Sequence, residues 1–115
     1  FNSHISAISV SEDNQFLAVG CEQGTCKILD METFEVIKTF SNVHRTKIWV
    51  SQFSKDNKTF VTASADQVIK IYSTDPWKII RTIEIPRGFI RALSLSPNAQ
   101  YLALGSGTAV RIINF

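Results

Sequence analysis

The sequence has little of what most function classes require. Two cysteines in 115 residues rule out a small domain stapled by several disulfides, and three prolines and five glycines rule out collagen-like or low-complexity chains. The longest apolar runs, "QFLAVG" and "RIINF", fall far short of the roughly 20 residues that a membrane-spanning helix needs. No charge of one sign dominates. Twelve Lys and Arg stand against ten Asp and Glu, and a net charge of +2 selects neither nucleic acid nor an anionic membrane without clustering in space. No window shows the 3.6-residue period of an amphipathic helix, so no helix is expected anywhere.

Metal and redox chemistry are equally thin. Cys21 and Cys26 flank the turn "EQGT", and neither His4 nor His44 completes a metal-ligand spacing with them. Both cysteines read as reduced and packed. No metal or other cofactor is expected.

What the chain does have is strand signal, repeated. With 44% apolar and 19% charged residues it has the balance of a globular domain. "TASADQVIKIYS", residues 62 to 73, is a β-branched run, a break at Ala65, Asp66 and Gln67, and a second apolar run: two strands and a tight turn. The segment 9 to 30 lies over 52 to 73 at an offset of 43 residues, pairing Ser11 with Ser54, Asp13 with Asp56, Asn14 with Asn57 and Lys27 with Lys70. "FEVIKTF" from Phe34 lies over "WKIIRTI" from Trp77 at the same offset, and a third copy starts with Ser96 over Ser54.

Each copy reads as a series of short strands: 5–10, 16–20, 25–30 and 34–40; then 47–53, 59–63, 68–72 and 77–84; then 89–95, 100–105 and 109–114. The turns have a physical cause, since Ser-x-Asp-Asn and Ser-Pro-Asn carry side chains that bond their own backbone, and Pro97 presets a turn dihedral. The second and third strands of each copy are apolar on both faces, as in sheets covered on both sides. Four-stranded sheets repeated every 40 to 45 residues or so and stacked face to face are the blades of a propeller.

With these repeats the chain resembles the WD-repeat β-propeller family, whose repeats end their third strand in Trp-Asp. Here "KILD" keeps Asp30 but has Leu29 before it, "KIYS" has Tyr72 and Ser73, and "RIIN" has Ile113 and Asn114. Copy two is the nearest match. His44 stands where the family's Gly-His pair puts its His, with Val43 in the Gly place, and "SAD" at 64 to 66 matches the hairpin Ser-x-Asp. The resemblance implies a hydrogen-bonded set of His44, Thr62 or Ser64, Asp66 and Tyr72. Copy one has Gln23 and Phe1 in the Asp and His places, and copy three has Thr108 and Pro86, so neither can form it.

The resulting expectation is an all-β array of about three propeller blades over residues 1–115: blade one at 5–40, blade two at 47–84, and blade three at 89–115, lacking its outer strand. The array is expected to be part of a larger propeller, its open faces covered by further blades from the same chain or a partner chain. The resemblance implies a non-catalytic protein-interaction scaffold in a multiprotein complex, inside the cell in cytoplasm or nucleus. His44 beside Asp66 lacks any nucleophile partner, and "GSG" at 105 to 107 lacks the Lys-Ser/Thr of a phosphate loop and reads as a hairpin turn.

Trp49 is the unusual residue of the inner strand, with inter-blade packing and a partner anchor at the channel rim as its two readings. Arg91 holds the matching place in copy three, and alternation sets Lys47 beside Trp49 and Phe89 beside Arg91. These four are the candidate partner-binding residues. The alternative is an RNA-binding or other nucleic-acid-binding surface, from Arg45, Lys47, Arg81, Arg87 and Arg91 near strand ends.

Overall fold

The computed structural model describes residues 3–85, 90–97, 100–106 and 108–114. Eleven strands follow one another: β1 Ile5–Val10, β2 Phe16–Cys21, β3 Cys26–Asp30, β4 Val36–Phe40, β5 Ile48–Phe53, β6 Thr59–Ser64, β7 Val68–Thr74, β8 Trp77–Glu84, β9 Ile90–Leu95, β10 Tyr101–Ser106 and β11 Ala109–Asn114. They form three antiparallel sheets in simple meander order, β1 to β4, β5 to β8, and β9 to β11. The fold is all-β, and no helix occurs among the described residues.

Local chemistry sets the turns. In both full copies a serine hydroxyl closes the first hairpin: Ser11 Oγ donates to Asp13 and accepts from the N–H groups of Gln15 and Phe16, and Ser54 Oγ donates to Asp56 and accepts from Thr59 N–H. The Ser54 hydroxyl, followed by the Lys58 N–H, holds the Asp56 carboxyl below its usual range. Asn14 and Asn57 take positive φ at the tips, a region that Asn tolerates better than most residues.

The outer strand of the first sheet starts at Val36, two residues later than the sequence suggests. Asp30 is the cause. Its carboxylate accepts from the N–H groups of Glu32 and Thr33, and Phe34 N–H donates to its carbonyl, so residues 31 to 35 form a turn with Phe34 at φ 61°.

Alternation along the middle strands divides the core in two. Phe60 and Tyr72 of the second sheet face the first, packing with Ala18, Cys26, Ile28, Phe40 and Ile48. Val61, Ala63, Ile69 and Ile71 face the third, packing with Ile90, Leu95, Leu102 and Leu104. Trp77, at the start of β8, joins the first of these clusters edge-on to Phe16, Phe53 and Phe60. Cys21 and Cys26 are free and buried, and burial, with Cys21 nearby, pushes the Cys26 thiol up to about 12.

The far faces of the two end sheets carry exposed apolar side chains: Ile8 and Val10 on the first, Val110 and Ile112 on the third. Gly105 and Ser106 end β10, while Gly107 lies outside the described residues.

Candidate functional site

Beneath one end of the second sheet lies a chain of side-chain hydrogen bonds. β6 supplies Thr62, β7 supplies Tyr72, the hairpin between them supplies Asp66, and the segment before β5 supplies His44. His44 Nδ1 lies 3.2 Å from both Asp66 carboxylate oxygens, His44 Nε2 is 2.8 Å from Thr62 Oγ1, and Thr62 Oγ1 is 2.8 Å from the Tyr72 hydroxyl. Register makes this possible, because Thr62 and Tyr72 both project toward the first sheet.

The donors can be assigned. Asp66 also accepts from the backbone N–H groups of Arg45 and Val68, so its carboxylate acts as acceptor throughout. His44 Nδ1–H then donates to Asp66, its bare Nε2 accepts from Thr62, and Thr62 accepts from Tyr72. Burial holds the His44 pKa below its ordinary value, with Lys70 adding to the shift and Asp66 opposing it, so the ring is neutral at pH 7. Burial likewise pushes the Tyr72 hydroxyl up.

Of the two hydroxyls that the sequence offers, Thr62 sits in the chain. Ser64 donates to the Lys47 and Thr46 carbonyls and accepts from Asp66 N–H, anchoring the strand entry instead. The first sheet places Gln23 in the corresponding hairpin, where it is exposed. Phe1 and Pro86 lie outside the described residues.

A pH dependence follows. Because His44 takes up its proton less readily when folded than when unfolded, the unfolded state binds more protons below about pH 6.5, and stability falls with acidification. Urea unfolding at stepped pH values is expected to lose stability from pH 7 to pH 5, by at most about 1.4 kcal/mol per unit. Flat or rising stability across that window contradicts the assignment.

The segment that delivers His44 is held from the first sheet. His44 N–H donates to the Gly24 carbonyl, and Asn42 N–H to Thr25 Oγ1. Gly24 has φ +85°, and a Cβ built on it would lie 2.0 Å from the His44 carbonyl oxygen. Gly24 and Trp77 escaped sequence reasoning. Gly24 matters through the segment that leads to the second sheet and Trp77 through rings on both sheets, and a glycine in "EQGT" carries the same signal as any hairpin glycine.

Above this set, the inner strands turn side chains outward. Each has its register broken near its start, between Ile5 and Ala7, Ile48 and Val50, and Ile90 and Ala92. The extra residues are Ser6, Trp49 and Arg91, and a bulge re-aims the side chain it carries. Trp49 is 41% exposed, not sealed between sheets, and Lys47 Nζ lies 4.8 Å from its ring centroid. Lys47 also reaches Glu22 at 3.9 Å. Phe89 lies outside the described residues, and of Arg91 only the backbone is described. Lys47 and Trp49 are therefore the two candidate residues that the structure brings together.

Among the described residues no group of three His, Cys, Asp or Glu side chains could hold a metal ion, and no helix is long and apolar enough to cross a membrane.

Comparisons with known proteins agree with this architecture. Residues 2–51 match the Anaphase-promoting complex subunit 4 WD40 domain, and residues 34–73 match the WD domain, G-beta repeat. The chain belongs to the WD-repeat β-propeller family. It is 30% identical over 100 residues to Eukaryotic translation initiation factor 3 subunit I of Dictyostelium discoideum, covering 87% of this chain and 30% of that protein. It is 28% identical to Transcription initiation factor TFIID subunit 5 of Caenorhabditis elegans, covering 96% of this chain and 18% of that protein. The chain thus spans less than a third of the length of either relative. The Cps50 (Swd1) β-propeller domain of Myceliophteria thermophila superposes with a TM-score of 0.89 at 20% identity, covering 99% of this chain and 35% of that domain's chain.

Proposed function

We propose that the chain is a non-catalytic protein-interaction scaffold, acting inside the cell, in cytoplasm or nucleus, within a multiprotein complex. The observation that carries this is Trp49: a large indole, turned outward by a bulge and fixed on a strand whose paired neighbour, β6, is buried from Phe60 to Ser64. Exposed aromatics on rigid scaffolds are favoured contact residues. Support also comes from relatives named as subunits, Eukaryotic translation initiation factor 3 subunit I among them. The set of His44, Asp66, Thr62 and Tyr72 serves as architecture, since its atoms are consumed by one another.

The exposed faces of the end sheets are covered in the working assembly by further sheets of the same kind. Each end face offers the pattern of apolar side chains that already packs against a neighbour inside the array, and Val110 at 77% exposure is out of place on an uncovered surface.

Recovery of bound proteins from the source cells, with the wild-type chain and Trp49→Ala in parallel, tests the contact role. Loss of at least one partner by the variant, with an unchanged unfolding midpoint, is expected. Identical recovery by both removes Trp49 from the contact surface.

A further inference from the structure

The ends of the array differ in charge although the whole chain is nearly neutral. The turns opposite His44, at residues 11–15, 31–35, 54–58 and 75–76, hold Glu12, Asp13, Glu32, Glu35, Asp56 and Asp75 against only two lysines. At the His44 end, Asp66 is buried within its own hydrogen bonds, leaving Arg45 and Lys47 against Glu22 and the exposed Glu84, which ends β8 and lines a cavity with Arg45. An acidic segment is therefore repelled from one end and not from the other.

From this polarity the geometry points to an acidic peptide segment of a protein partner as the occupant of the rim around Lys47 and Trp49, an inference that rests on the scaffold reading above. A partner carboxylate takes Lys47 from Glu22, and an apolar or aromatic neighbour on the same segment lies against the indole. The exchange costs little, because the Lys47–Glu22 pair is long and its side chains are 38% and 47% exposed, conditions under which ion pairs contribute almost nothing to stability. Glu22 is then a gate on the site: it holds Lys47 while the rim is empty and competes with the incoming acid. A nucleic acid fits less well, since Glu22 lies within the rim and the far end repels a polyanion.

A displayed library of random 12-residue peptides, selected on the wild-type chain and counter-selected on Trp49→Ala, is the test. Enriched peptides are expected to carry Asp or Glu beside an aromatic or large apolar residue. Synthetic copies should bind at least tenfold more weakly to Lys47→Glu and a few-fold more tightly to Glu22→Gln, with unfolding midpoints confirming that both variants are folded. Enrichment of Lys- or Arg-rich peptides that still need Trp49 overturns the acidic partner and leaves the scaffold reading standing. Absence of any Trp49-dependent peptide, with oligouridine binding the wild-type chain, overturns both. Absence of binding by peptides and oligouridine alike overturns the inference.

Discussion

Alanine at Asp66 is expected to lower stability by about 2–5 kcal/mol, because the buried His44 Nδ1–H and the Val68 N–H lose their acceptor, at about 1–3 kcal/mol for each donor left unpaired. The side chain is only 4% exposed, and its loss strands His44, whose imidazole is fully buried. It also frees the N–H groups of Arg45 and Val68. Gln23→Ala, at the matching place in the first sheet, should change stability by no more than about 0.5 kcal/mol, because that side chain is exposed. Urea denaturation measures both, and the Asp66 effect should appear as a lowered midpoint at constant slope. Equal shifts for the two variants contradict the role given to His44.

A comparable loss is expected from Gly24→Ala, by a different route. At φ +85° an L-residue is strained, which alone costs about 1–2 kcal/mol, and the new methyl would sit 2.0 Å from the His44 carbonyl oxygen. That obstacle is backbone, so the whole segment carrying His44 must shift, weakening its bonds to Gly24, Thr62 and Asp66 by a further 1–3 kcal/mol or so. Gly105→Ala is the control. Its added methyl would meet Ala92 at 3.9 Å, an ordinary contact, and a small gain or no change is expected. The two damaging substitutions share His44 as their target, so Gly24→Ala with Asp66→Ala should cost less than the sum of the two. Full additivity, or a Gly24→Ala variant as stable as Gly105→Ala, shows that the first sheet does not hold His44 in place.

The strands were legible because each is a short apolar run closed by a turn whose side chains bond locally. Ser11 and Ser54 perform the same task in two copies, so alignment of the copies exposes it. Legibility failed where a side chain competed with the ladder. Asp30 captures the N–H groups of Glu32 and Thr33 and delays β4, although "FEVIKTF" taken alone reads as a strand from Phe34. Thr62 and Ser64 lie two apart on one strand face with similar hydroxyls, and only their depth beneath His44 separates them. The bulges at Ser6, Trp49 and Arg91 were invisible for a related reason: an extra residue exists only relative to the strand beside it. So the exposure of Trp49 could be posed as one of two outcomes from sequence, but not settled there.

Among the described residues, the second sheet has neighbours packed on both of its faces, while the first and third are each packed on one. A sheet packed on both faces opens only by giving up both interfaces, so it resists local opening. Trp49 is borne by that doubly packed sheet. Its backbone therefore stays ordered, and a partner landing on the indole loses less of its binding free energy to ordering the surface it meets.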